Sequence, residues 1–226
     1  MRPRPESPLS GPALPTTIFA GIWNHLDGSR MVLFLPANAT FRRLAFTDFR
    51  TRTLPAPAPG ASTTGAQTAV NMNIRPNSFH FRRAAHLKPP NFMMVEDPNV
   101  TVTLNTAQMW VASWVLTSPV AFQTSLLNHE QGHYEISMLN AGDVFHELLT
   151  ISGGAFASAQ AGAAAIRGMR RRLFNVQPIH DKYDLDTNHG LNATMQAAWD
   201  TALSNARVTF VRPSLRTALA TAGLFR

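Results

Sequence analysis

Cysteine is absent from this 226-residue chain, which excludes a disulfide framework, a thiolate metal site and a cysteine nucleophile. Lysine is almost missing as well: Lys88 and Lys182 are the only two among 20 basic residues. Acidic residues number 13, so the net charge of +7 is carried by arginine. Such a balance suits acidic partners. The pairs Arg42-Arg43 and Arg82-Arg83 and the triplet Arg170-Arg171-Arg172 come without a nucleic-acid-binding motif, and they read as solvated surface. No apolar run reaches the ~18 residues of a membrane span. Met1 to Thr17 holds five prolines and no apolar core, so it does not read as a secretory leader. The expectation is a soluble protein, cytoplasmic or exported by a non-classical route.

What is present is a hydrophobic fraction of 45%, enough to bury a core without staples. Met1–Pro15 reads as a proline-rich disordered tail, and residues 16–226 as one domain. Strand signals come first. Apolar runs at Thr17–Trp23 and Met31–Leu35 flank the turn Asp27-Gly28. Thr53–Gly65 is a Pro/Ala/Gly/Thr-rich loop. Period-two alternation marks Gln67–Arg75, Ser78–Arg83, Val100–Leu104 and Ala107–Leu116. At Ser118-Pro119 the period changes. Val120–Leu149 is helical, Gly153-Gly154 breaks it, and Ala155–Phe174 forms a second helix ending in three arginines. Gln177–Asp186 reads as a loop. Thr187 reads as the N-cap of a helix to about Ala206, and a short helix follows Pro213. Strands over 16–117 and helices over 118–226 predict an α+β fold, an antiparallel sheet packed on helices.

The chemistry concentrates at His129-Glu130-Gln131-Gly132-His133. On a helix, positions i and i+4 lie about 40° apart around the axis and roughly 6 Å apart along it. Two imidazoles so placed can share one metal ion, and the adjacent Glu130 can act as general base toward water. Catalytic zinc takes three protein ligands and keeps one position open. Glu147, further along the same helix, would sit ~21 Å beyond His133, and Asp143 and His146 fail for the same reason unless Gly142 ends the helix. The third ligand is therefore sought in Tyr183-Asp184-Leu185-Asp186-Thr187-Asn188-His189-Gly190. His189 is the first candidate. Asp184 and Asp186 are rival ligands or acceptors for the ring N–H groups, and His180 is a weaker rival. Tyr183 is a candidate hydrogen-bond donor to a developing oxyanion.

The run Leu126-Leu127-Asn128-His129-Glu130-Gln131-Gly132-His133-Tyr134-Glu135-Ile136 resembles the central motif of a bacterial family of predicted zinc-dependent proteases, long described as a domain of unknown function. Leu44-Ala45-Phe46-Thr47-Asp48-Phe49 is similar to that family's early Leu-x-Trp-x-Asp-Phe element, with Phe46 in place of tryptophan. Ser113-Trp114 falls where the family has Ser-Trp. Tyr183-Asp184-x-x-Thr187-x-His189-Gly190, followed by Gln196 and Trp199, looks like its C-terminal element. The matches run in order from Leu44 to Trp199. The resemblance implies a zincin-like domain with zinc on His129, His133 and His189, Glu130 as base, and a protein or peptide as substrate. Two alternatives stand beside this metallopeptidase reading: a non-catalytic binding protein that keeps a structural or vestigial metal site, and an exported effector protease.

Overall fold

A computed structural model describes residues 42–58, 64–208 and 215–225, together with the backbone of two strands nearer the N-terminus. The proline-rich tail and the Asp27-Gly28 turn lie outside the described residues. The two strands, β1 (Ala20–Asn24) and β2 (Arg30–Phe34), pair antiparallel as the flanking apolar runs predict.

The organising element is α1, 33 residues from Val120 to Ser152. Ser118-Pro119 places a proline immediately before the helix, where a missing N–H costs nothing. Gly142 does not interrupt α1, and the helix stops at Gly153, so Asp143, His146 and Glu147 stay far from the HExxH turn. Asp143 instead accepts from the backbone N–H of Leu215 at 2.8 Å, and Glu147 pairs with Arg172. Among the described residues no helix is long and apolar enough to cross a membrane.

Helix α1 is buried on two sides. On one side, Leu126, Tyr134, Met138, Val144, Phe145 and Leu148 join a core built with strand residues such as Ile74, Val100, Val102 and Val111. On the other, Ile136 and Leu139 pack with Ile179, Tyr183, Trp199, Leu203 and Leu219. A helix between two cores carries apolar residues nearly all round, which is why its motif sits in so apolar a setting.

The sheet side is more fragmented than a single antiparallel sheet. Beyond β1–β2 there are β3 (Arg50–Arg52), β4 (Ala66–Gln67), β5 (Val70–Arg75), β6 (Phe81–Arg83), β7 (Phe92–Met94), β8 (Asn99–Leu104) and β9 (Trp110–Ala112). They form separate small sheets: β5 with β8, β6 with β7, and a three-stranded sheet in the order β3-β9-β4. In the last, β3 runs parallel to β9 and β4 antiparallel. Short strands divided by Pro76, Pro89, Pro90 and Pro98 cannot extend into one ladder. The observed class is mixed α and β with small, mainly antiparallel sheets, in keeping with α+β.

Four helices follow. Helix α2 (Ala159–Leu173) is capped by Ser158, whose hydroxyl accepts from Ala161 N, and carries Arg170, Arg171 and Arg172 in its last turn, where cations suit the helix dipole. It lies so close to β6 that a Cβ on Gly162 would stand 2.3 Å from the Phe81 ring. Helix α3 (Gln177–Thr187) replaces the expected loop, α4 runs Ala193–Val208, and α5 runs Leu215–Thr221. Several arginines are engaged within the fold: Arg42 with Asp48, Arg207 with Glu135, and Arg52 over the Trp110 ring.

Candidate metal centre

Near the middle of α1, His129 and Glu130 are buried and His133 is half-buried. The residue between the histidines must be glycine because α3 crosses there. A Cβ on Gly132 would lie 2.1 Å from the Tyr183 hydroxyl. That hydroxyl donates to the His129 carbonyl oxygen at 3.1 Å and accepts from Gln196 Nε2 at 2.6 Å, while the Tyr183 ring stacks on the His129 imidazole, centroids 4.7 Å apart. Gly132→Ala is expected to destabilise the fold by ~1–3 kcal/mol through overpacking, despite the helix propensity alanine adds. A lowered denaturation midpoint checks this, and an unchanged one would contradict the close approach.

Helix α3 brings two pairs at i, i+4 spacing to α1: Tyr183 with Thr187, and His180 with Asp184. The Thr187 hydroxyl donates to the Tyr183 carbonyl at 2.7 Å, so its oxygen is left to accept from His129 Nδ1–H at 3.1 Å. A neutral His129 with hydrogen on Nδ1 has its lone pair on Nε2. That atom faces Asp184 Oδ1 at 3.0 Å and His133 Nε2 at 3.2 Å. His133 Nε2 is also 3.0 Å from Asp184 Oδ1.

His189 arrives by a different route from the one its sequence position suggests. It is not in the first turn of a helix. Helix α3 ends in three successive left-handed residues, Asn188 (φ 48°), His189 (φ 53°) and Gly190 (φ 82°), a conformation strained for residues that carry a Cβ. The turn swings His189 Nδ1 to 3.3 Å from Asp184 Oδ1. Gly190 is pressed on α1, where a Cβ would meet His129 Cβ at 2.9 Å, and Ser125 Oγ donates to its carbonyl at 2.8 Å.

Burial works to raise the Asp184 carboxyl, but the hydrogen bonds and charge of His129 and His133 overcome it and hold it well below the usual carboxylate range. Burial likewise works to lower His133, and the hydrogen bond to Asp184 with the negative charge of Glu130 outweighs it, so this imidazole is raised. His180, behind His133, is pushed down to about 3 by burial and by the charge of His133.

Electron-pair donors gathered this closely around Asp184 Oδ1 repel unless positive charge lies among them. A proton can serve one contact at a time, whereas a cation serves all. In tetrahedral zinc sites with arms of 2.0–2.1 Å the ligand atoms lie roughly 3.3 Å from one another, close to the distances from Asp184 Oδ1 to the three imidazole nitrogens, 3.0, 3.0 and 3.3 Å. His129, Asp184 and His189 offer ligand atoms that all lie within 4.8 Å of one another, and this group could hold a metal ion. His133, in contact with two of the three, borders the same point. Glu130 Oε2 is buried and hydrogen-bonds to no described residue. All these groups line a cleft of about 530 Å³ whose other wall is the segment from Thr64 to Val70. That wall includes β4, an edge strand of its sheet among the described residues, and is tied to α1 by Thr68 Oγ1 donating to the Glu130 carbonyl.

The sequence candidates divide accordingly. His129, Glu130, His133, Asp184 and His189 come together. Tyr183 does not face the cleft: it is fully buried, burial pushes its phenol well above its usual range, and its proton is committed to the His129 carbonyl, so it holds α1 and α3 together rather than addressing an oxyanion. Asp186 also points elsewhere, pairing with Lys182 and accepting from Trp199 Nε1 at 3.1 Å. Two residues inside the quoted motifs have roles that the motifs do not signal. Thr187, expected as a helix N-cap, is instead the buried last residue of α3 and orients His129. Gln131 accepts from Leu44 N at 2.9 Å and donates to the Arg42 carbonyl at 3.2 Å, docking the Leu44–Phe49 element on α1. No family model, curated protein or solved structure matches this chain.

Proposed function

We propose that the chain is a zinc-dependent metallohydrolase that cleaves peptide bonds. The observation that carries this reading is the convergence of His129, Asp184 and His189, with His133 at their edge, beside a Glu130 carboxylate whose buried Oε2 has no hydrogen-bond partner among the described residues, in an open cleft. Imidazole and carboxylate donors with no thiolate suit zinc among the common divalent ions. When bound, such an ion supplies Lewis acidity, polarising a carbonyl and bringing the ionisation of water toward neutral pH.

The chain's own residues do the rest. The edge of β4, unpaired by any described strand, can take an extended peptide as an added strand, its backbone groups pairing with the substrate's. That register lays the peptide along the cleft wall opposite His129 and Glu130. The Glu130 carboxylate accepts a proton from water as the water oxygen bonds to the peptide carbonyl carbon. It then returns the proton to the amine nitrogen as the C–N bond breaks. Thr187 keeps His129 in one tautomer throughout.

A second reading has its own support. His133 borders the group of His129, Asp184 and His189, and if it joined them the four protein donors would close a tetrahedral site, as in a structural centre of a binding protein. Hydrolysis of an unfolded protein substrate separates the two. The proposal expects turnover that a chelator removes and stoichiometric zinc restores. A protein that binds one zinc tightly and cleaves no peptide bond in a diverse peptide mixture would establish the structural reading instead.

A further inference from the structure

His133 has a second ring nitrogen, and it faces another imidazole. Its Nδ1 lies 2.9 Å from His180 Nδ1, and His180 Nε2 lies 3.3 Å from Ser137 Oγ. His180 belongs to α3 and Ser137 to α1, one turn beyond His133, so the three side chains bridge the two helices. Two imidazole nitrogens at that separation cannot both carry hydrogen, nor can both present lone pairs without repulsion. One donates and the other accepts. For His133 to offer a lone pair at Nε2, where Asp184 and His129 converge, its hydrogen must sit on Nδ1. His180 Nδ1 must then be the acceptor, which puts the His180 hydrogen on Nε2, facing the Ser137 oxygen. Each proton position follows from the one before.

We propose that His180, backed by Ser137, is the positioning residue that fixes the tautomer and ring plane of His133, so that Nε2 is presented to a cation held with His129, Asp184 and His189. This rests on the metal-site reading of the pocket. The two helix histidines are thereby oriented by different means: His129 by the Thr187 hydroxyl and His133 by a neutral imidazole. Partners of this kind raise ligand basicity and hold the ring, and their loss typically costs 10–100-fold in metal affinity. Because His180 also lines the cleft, its ring makes part of the wall beside the cation.

The test is a zinc titration against a chelator of known affinity, with the full chain and three variants. His180→Leu fills the ring's space and offers no acceptor. It is expected to weaken zinc binding 10–100-fold. His180→Asn places a carbonyl oxygen where Nδ1 stands and is expected to recover most of that loss. Ser137→Ala should weaken binding severalfold. Long-range proton–nitrogen NMR on the zinc-loaded protein should show hydrogen on His133 Nδ1 in wild type and in His180→Asn. Equal losses in the Leu and Asn variants, with folding unperturbed, would mark His180 as packing only and overturn the proposal. So would wild-type affinity in His180→Leu. If wild type itself binds no zinc, the metal-site reading fails and this proposal with it. Zinc binding by wild type with an indifferent His180→Leu removes only the role of His180.

Discussion

Glu130→Gln should hold as much zinc as wild type and lose roughly 10²–10⁴-fold in peptide hydrolysis, the range that a positioned general base contributes. Glutamine keeps the length and branching of the side chain but cannot take a proton from water. Glu130 is not among the atoms that meet at Asp184 Oδ1, so metal content has no reason to change. Nor does the fold: Oε2 accepts no hydrogen bond from a described residue, and substitution there breaks none. The loss should appear in kcat and kcat/KM alike, since the proton moves only in the transition state. Undiminished turnover in Glu130→Gln would remove Glu130 from the reaction. A parallel loss of zinc and of activity would instead put Glu130 among the groups that hold the ion.

The reach of sequence reasoning followed the strength of local periodicity. Helix α1 was readable because apolar residues recur at helical spacing and its ends carry Pro119 and Gly153-Gly154. The β1–β2 pairing was readable from two apolar runs about a turn. Helix α3 was not. Gln177–Thr187 holds Pro178, three aspartates and only a few apolar residues, a composition that favours a loop. Burial of Ile179 and Tyr183 between α1 and α4 overrides that weak local preference. Read as a helix, the segment places His180 with Asp184 on one face and Tyr183 with Thr187 on another, both at i, i+4. That reading assigns Thr187 to the ligand neighbourhood and draws Tyr183 inward. It also moves His189 from a helix start to a left-handed turn, a geometry that no periodicity signals. The division of the strands into small sheets was equally hidden, because pairing depends on partners distant in sequence.

Asp184→Ala is expected to cost at least about 100-fold in zinc affinity, roughly 2.7 kcal/mol, as much as His129→Ala. The three-imidazole set implied by family resemblance ranks the variants differently: His129, His133 and His189 first, with Asp184 contributing only charge. The geometry favours the carboxylate. Asp184 Oδ1 is the atom that the other three share, at 3.0 Å from His129 Nε2, 3.0 Å from His133 Nε2 and 3.3 Å from His189 Nδ1. His189 reaches the group only through a strained turn, so His189→Ala should retain one zinc with about tenfold weaker affinity. Asp184→Asn separates the two roles of the carboxylate, since it keeps an oxygen at the shared point and removes the charge. If Asp184 is a ligand, Asn should bind better than Ala. If it acts by charge alone, Asn and Ala should weaken binding equally. All titrations belong at one pH, because protons compete with zinc for the imidazoles and affinity falls as pH falls. Wild-type affinity in Asp184→Ala, with loss in His189→Ala, would return the third position to His189 and leave Asp184 as a counter-charge beside it.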